Sequence, residues 1–250
     1  MSGHSKWANI KRRKGAEDAK RGQVFTRLAR DIQMAAREGG GDESSNIRLK
    51  IAIQKAKENN MPKDNIERAI LRGTGKLEGV ELEEITYEGY GPDGIAFMID
   101  VLTDNKNRAL GDIKNVFNKR GGALASAGSV RFQFDQKGEI ILGEGKFDFD
   151  EVFMVAAEAG ADDVVDDDGL ISVYTPREAF TAVEDALRAA NYPVDSAEIK
   201  WFAKNETELP VEKALANLRL QESLEELDDV QTVAMNLSLN DELLEALETA

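Results

Sequence analysis

The 250-residue chain reads as an α/β (α+β) protein of three units: a basic N-terminal three-helix bundle followed by two ferredoxin-like α/β sandwich domains, one inserted in the other. Three observations predict this. The apolar period is helical from about residue 16 to 76 and then changes to alternating strands and helices. Charge divides at the same place. Residues 1–76 hold 18 Lys and Arg against 9 Asp and Glu, a net of +9, whereas the remainder carries a net of −24. Finally, the elements from 135 to 205 run β-α-β-β-α-β, the self-contained order of a split-βαβ sandwich. The expected units are 1–78, then 79–134 together with 206–250, and an inserted 135–205.

In the first unit, Phe25, Leu28, Ala29, Ile32, Ala35 and Ala36 form one stripe at helical spacing, with Lys20, Arg27 and Arg37 roughly opposite. Gly39, Gly40 and Gly41 end that helix. Leu49, Ala52, Ile53 and Ala56 mark a second helix from Asn46 to Lys57, broken at Asn59 and Asn60. Pro62 suits the first turn of a third, which buries Ile66, Ala69 and Ile70 and stops at Gly73. None of these helices is long enough to be stable alone, so they must pack together.

Beyond Gly75, residues 85–90 and 95–102 read as two strands about a Gly91-Pro92-Asp93-Gly94 turn. Asn107–Lys119 reads as a helix with Leu110, Ile113, Val116 and Phe117 inward, closed by Gly121 and Gly122. Residues 130–134 alternate as a strand with one wet face. In the insertion, strands are expected at 139–142, 164–165, 170–174 and 197–203, with helices at 148–159 and 176–190. Asp166, Asp167, Asp168 and Gly169 read as an acidic turn. A helix at 211–227 and a strand at 230–237 then complete the sheet begun at Ile85.

Composition narrows the chemistry. There is no cysteine, which excludes disulfides, a thiol nucleophile and thiolate metal sites. The one histidine, His4, is a poor basis for a catalytic triad or a soft metal site. Asp100, Asp104 and Asp112 are better explained as strand-end and helix-cap carboxylates than as a magnesium cluster. Residues 162–168 lack calcium-loop spacing, and Pro92 interrupts any phosphate loop at Gly89–Gly94. The expectation is a non-enzyme without cofactors or metal. No apolar run approaches a membrane span, and no apolar segment or Arg/Ser-rich leader follows the basic start, so the expected location is the cytoplasm.

Residues 2–14 are the most informative stretch. Lys6, Lys11, Arg12, Arg13 and Lys14 crowd around one Trp and one Ile, a segment that repels itself and buries little. Such an arm suits a polyanion, since cations on phosphate release counterions and supply sequence-independent affinity. The candidate nucleic-acid contacts are His4, Ser5, Lys6, Trp7, Asn9, Lys11, Arg12, Arg13 and Lys14, continued on the first helix by Lys20, Arg21, Arg27 and Arg30. Trp7 either stacks on an unpaired base or anchors the arm to the bundle. Helices two and three superficially resemble a helix-turn-helix offering Lys63, Asn65, Arg68 and Arg72, without its tight glycine turn.

The segments Gly3-His-Ser-Lys-Trp-Ala-Asn-Ile-Lys-Arg-Arg-Lys14, Asn59-Asn-Met-Pro-Lys-Asp-Asn-Ile66, Tyr87-Glu-Gly-Tyr-Gly-Pro92 and Leu102-Thr-Asp-Asn-Lys-Asn-Arg108 resemble signatures of the YebC family. Gly121-Gly122 and Gly128-Ser-Val130 are similar to it as well, and the likeness runs in order over essentially the whole chain. The resemblance implies a three-domain α/β protein. It also implies one of two roles. One is a DNA-binding transcriptional regulator of the bacterial cytoplasm. The other is a ribosome-associated translation factor that contacts ribosomal or transfer RNA and relieves stalling at proline-rich stretches, since the family includes a translational activator of cytochrome oxidase. The arm suits both. The partners expected are DNA or RNA through the basic region, with the ribosome or RNA polymerase facing the acidic units, and neither a membrane nor a small-molecule substrate.

Overall fold

In the computed structural model of the protein, residues 18–143, 145, 147–167 and 169–248 are described. The head comprises α1 (Asp18–Gly39), α2 (Ile47–Glu58) and α3 (Lys63–Gly73). Leu28, Ile32, Ala35 and Ala36 of α1 bury against Leu49 and Ile53 of α2 and Ile66 and Ala69 of α3. One buried side chain sets the corner between α1 and α2. The Asn46 carbonyl oxygen accepts from the Leu49 amide at 3.0 Å, capping α2, while its amide nitrogen donates to the carbonyls of Ala35 and Gly40, both at 2.8 Å. Between α2 and α3, Asn60 takes the left-handed conformation (φ 57°) that glycine usually supplies.

The first sheet pairs β1 (Glu83–Tyr90), β2 (Ala96–Thr103), β3 (Ala123–Leu124) and β8 (Val230–Met235) in the order β3-β1-β2-β8, with every pairing antiparallel. Its centre is the β1–β2 hairpin, with α4 (Lys106–Lys119), α7 (Val211–Glu225) and α8 (Asp241–Glu248) supplying the helical side of the core. The second sheet joins β4 (Phe134–Leu142), β5 (Asp163–Asp167), β6 (Leu170–Pro176) and β7 (Val194–Ala203) in the order β5-β6-β4-β7, all antiparallel. With α5 (Phe149–Glu158) and α6 (Phe180–Ala189) it has the split-βαβ order. The chain therefore completes this sheet before β8 returns to lie beside β2.

Strand β2 is buried on both faces, which explains why it is apolar at every position from Ala96 to Leu102 except Asp100. Phe97, Ile99 and Val101 point into the helical core, whereas Ala96 and Met98 meet Val130, Phe134 and Trp201 on the opposite face. Asp100 lies on that second face. It accepts from the hydroxyls of Thr86 (2.7 Å) and Thr232 (2.9 Å) and from the Trp201 indole N–H (3.0 Å), so one carboxylate joins the two sheet units.

Several elements differ from the sequence reading. Residues 130–134 do not begin a strand. Arg131–Gln133 form a 3-10 turn, and β4 starts at Phe134. The cause is Glu88, buried in β1, whose carboxylate takes the amides of Gly128 (2.6 Å), Val130 (2.7 Å) and Arg131 (3.0 Å). Those donors wrap the segment around a side chain instead of leaving it for a ladder. Leu110 is exposed rather than inward. The strand expected at 164–165 spans Asp163–Asp167 as the edge strand β5, so Asp166 and Asp167 belong to it rather than to the acidic turn, and charge on an edge discourages further strand pairing. The short strand β3 and the terminal helix α8 had no counterpart in the periodicity, because two residues and a lone flanking helix are too short to carry a clear one.

Burial alone would raise the Glu88 carboxyl, but the three amides outweigh it and hold it below the usual range. Glu88→Ala leaves the buried Val130 amide without its acceptor. Urea unfolding is expected to register a loss of about 2 kcal/mol, with the native α/β circular dichroism retained.

Candidate nucleic-acid interface

The expected arm, from His4 to Lys14, lies outside the described residues, and so do the side chains of Lys20 and Arg21. The rest of the expected basic face is well defined, and it faces the body of the protein. Helix α7 ends at Glu225 and leaves carbonyls without intrahelical donors. The Arg27 guanidinium donates to the carbonyls of Glu225 and of Leu227, the latter at 3.1 Å. The Gln23 amide reaches the Glu226 carbonyl at 3.0 Å, and Arg30 reaches that of Asp228 at 2.8 Å. Positive groups on the negative end of a helix dipole are stabilising. Arg27 and Arg30, expected on an open phosphate-binding face, are therefore corrected to an interdomain seam. Their partners lie about two hundred residues away, which no local pattern reveals.

The centre of this seam is Asp229, whose side chain is only 7% exposed. Its carboxylate pairs with Arg30 (2.8 Å) and Arg108 (2.8 Å) and accepts from the Thr103 hydroxyl (3.0 Å). Arg108 also holds Asp104 at 2.6 Å, and both carboxylates push its pKa further up. Asn105 caps α4 by accepting from the Arg108 amide at 3.1 Å. The run from Leu102 to Arg108 thus reads as a structural device: it presents Thr103 and Arg108 to a carboxylate that arrives from the far end of the chain. Beside it lies a cleft of about 580 Å³ lined by Arg30, Asp104, Arg108, Asp112 and Asp228. Asp100 is engaged elsewhere, between the sheets, so the three candidate magnesium carboxylates do not converge.

A second ionic seam lies along the other side of the head. Arg37 donates to the Leu82 carbonyl (2.9 Å) and to Glu81 (3.0 Å), Arg48 pairs with Glu38 and Glu84, and Lys55 pairs with Glu198 at 2.6 Å. Glu198 also faces Lys200 at 3.5 Å. Burial opposes its ionisation, but the two lysines hold its pKa down at about 2. Asp31, half-buried on α1 nearby, has the opposite fate. Burial, with Glu198 and Glu84 adding to it, pushes its pKa up to about 6 against the pull of Lys55 and Arg48.

The outward side of the head is different. Lys50 and Lys57 on α2, Arg68 and Arg72 on α3, and Lys76 after it are exposed and make no ion pair with the described residues. Helices α2 and α3 pack mainly on α1 rather than on each other. These five cations form an open basic surface on the head. The signal for Lys50 and Lys57 was their seven-residue spacing, which puts both on one flank of the Leu49–Ala56 stripe. Among the described residues no cluster of three or more His, Asp or Glu is arranged to hold a metal ion, and no helix is long and apolar enough to cross a membrane.

Comparison with known proteins matches the whole of this architecture. The family model described as the TACO1/YebC protein N-terminal domain matches residues 5–76, and that described as the TACO1/YebC second and third domain matches 82–237. A protein of Syntrophotalea carbinolica named "Probable transcriptional regulatory protein" is 50% identical over 97% of both chains. One of the same name from Shewanella oneidensis is 51% identical, covering 99% of this chain and all of the relative. The crystal structure of a conserved hypothetical protein from Aquifex aeolicus superposes with a TM-score of 0.82 at 40% identity, covering 88% of this chain and 91% of that one.

Two outcomes follow from the seams. Arg30→Ala removes the head's contact with Asp228 and Asp229. It is expected to cost about 2 kcal/mol in urea unfolding while leaving the salt dependence of polyanion binding unchanged. For Asp31 the folded-state pKa lies above the unfolded one, so its contribution is favourable at low pH and is lost as pH rises through about 6. Asp31→Asn is therefore expected to raise stability by about 1–2 kcal/mol at pH 8 and to change little at pH 4, read from thermal melts at both pH values.

Proposed function

The chain belongs to the TACO1/YebC family, and on that premise we propose that it is a non-enzymatic, cytoplasmic nucleic-acid-binding regulator of gene expression, in the first place a DNA-binding transcriptional regulatory protein. The observation that carries this reading is the two-sided head. Its body-facing arginines are engaged by carbonyls and carboxylates of the sheet units, and its outward cations are not. A basic surface left open on a protein of net charge −15 is suited to phosphate. The acidic sheet units are repelled by the same ligand, which favours one orientation on it. The names of the relatives from Syntrophotalea carbinolica and Shewanella oneidensis support a role in transcription.

In this reading the arm contacts, Lys6, Lys11, Arg12, Arg13 and Lys14, together with His4, Ser5, Trp7 and Asn9, supply most of the affinity, and Lys20, Arg21 and the outward face continue the track. A second reading keeps the same surface and changes the ligand. The resemblance to a translational activator and the strongly anionic body, which suits a site among basic ribosomal proteins, favour a ribosome-associated factor bound to ribosomal or transfer RNA.

Crosslinking in cells, followed by sequencing of bound DNA and bound RNA, separates the two: promoter-rich DNA supports the first and ribosomal or transfer RNA the second. Changing Lys11, Arg12, Arg13 and Lys14 together to Ala tests the shared surface. The folded variant is expected to bind much more weakly in fluorescence anisotropy, with a salt slope shallower by about 3–4 for duplex DNA. An unchanged slope overturns the assignment of the arm.

A further inference from the structure

The turn at Arg131–Gln133 is held from every side, yet it presents an aromatic ring to water. Glu88 fixes the amides of Gly128, Val130 and Arg131. The Tyr90 hydroxyl donates to the Ser129 carbonyl at 3.1 Å. The Gln133 carbonyl accepts from the Lys204 amide at 2.8 Å, and its side-chain oxygen from Asn236 at 3.1 Å. The Arg131 guanidinium lies 5.0 Å over the Trp201 ring. Between these anchors the Phe132 side chain is 69% exposed, the most exposed large apolar residue among those described, and it joins none of the apolar clusters. The buried carboxylate thus orders a loop whose tip is a solvated phenyl ring.

We propose that Phe132 is a stacking platform for an unpaired nucleobase, a second nucleic-acid contact separate from the head and arm. The surroundings favour a base over a protein side chain. A protein-binding hot spot sits in contiguous apolar surface that excludes water. Phe132 instead borders an open groove of about 750 Å³ whose rim carries Arg131, Lys137, Arg177 and Lys204 against Asp135, Asp162 and Glu178. That local balance is +1 on a body whose total beyond residue 76 is −24. A ring beside cations, one of them already stacked on an indole, matches single-strand recognition, where the base lies on an aromatic face and its phosphate meets a cation. Both lysines are paired, Lys137 with Asp162 at 3.1 Å and Lys204 with Asp135 at 3.2 Å, so the electrostatic share is small and stacking dominates. The turn is ordered before binding, so little entropy is lost on contact.

The experiment compares labelled oligo(U), oligo(dT) and a duplex of similar length by fluorescence anisotropy, using the full-length protein at about 50 mM salt. Because Phe132 is exposed, Phe132→Leu is expected to keep the wild-type melting temperature. It should weaken single-strand binding by roughly 5- to 100-fold and leave duplex binding unchanged, while Phe132→Tyr restores wild-type affinity. Equal single-strand affinity in wild type and Phe132→Leu overturns the platform but not the arm. Loss of duplex binding in the arm variant, with the effect of Phe132→Leu intact, supports both contacts. No binding of any oligonucleotide by the wild type overturns both.

Discussion

A carboxylate with 7% of its side chain exposed, Asp229, receives Thr103 and Arg108 from the first sheet unit and Arg30 from the head. It follows the C-terminus of α7, so the same short segment also supplies the carbonyls that Arg27 and Gln23 cap. Head, β2–α4 corner and returning strand β8 are thereby fixed relative to one another at one point. Little apolar surface does this job: the cluster linking head to sheet contains Met34, Leu82 and Leu102. Removing one partner from such a network leaves a desolvated charge behind, which is why the position of the head depends on it.

Glu88 and Asp100 act in the same way elsewhere. Glu88 organises the loop before β4 through three backbone amides, and Asp100 joins the sheets through Thr86, Thr232 and Trp201. In each case a carboxylate, buried at Glu88 and half-buried at Asp100, is satisfied by donors from segments far apart in the chain. Hydrogen bonds to a charged group are stronger than neutral ones and directional, so they set orientation where the apolar core sets only proximity.

This use of charge shapes the functional surface. The basic head meets an acidic body, and the cations facing the seams are neutralised by it. Among the described residues of the head, Lys50, Lys57, Arg68, Arg72 and Lys76 are exposed cations without an ion pair, on the side that faces solvent. Electrostatic complementarity between units therefore selects which basic residues remain available for a polyanion. The carbonyl caps of Arg27 and the carboxylate contact of Arg30 illustrate the selection: two residues of one helix, basic like their neighbours, belong to the architecture.

The apolar periods of α1, α2, α3 and α4, the mostly apolar run of β2 and the β-α-β-β-α-β order of the second sheet were all legible in the sequence, because each is a property of residues within a few turns or a few strands of one another. So was the contrast of +9 against −24 that separates the basic head from the acidic sheet units. What only the tertiary structure decided was the fate of individual charges and of one aromatic. Arg27 and Arg30 could not be told from free cations until α7 and Asp229 were brought to them from nearly two hundred residues away. Phe132 alternates with Val130 and Phe134 as a core residue should, and faces water only because Glu88 draws the intervening backbone into a turn. Periodicity reports how a segment prefers to bury itself. Which distant carboxylate or carbonyl it meets is set by the folded chain, through contacts whose strength depends on burial that the sequence does not display.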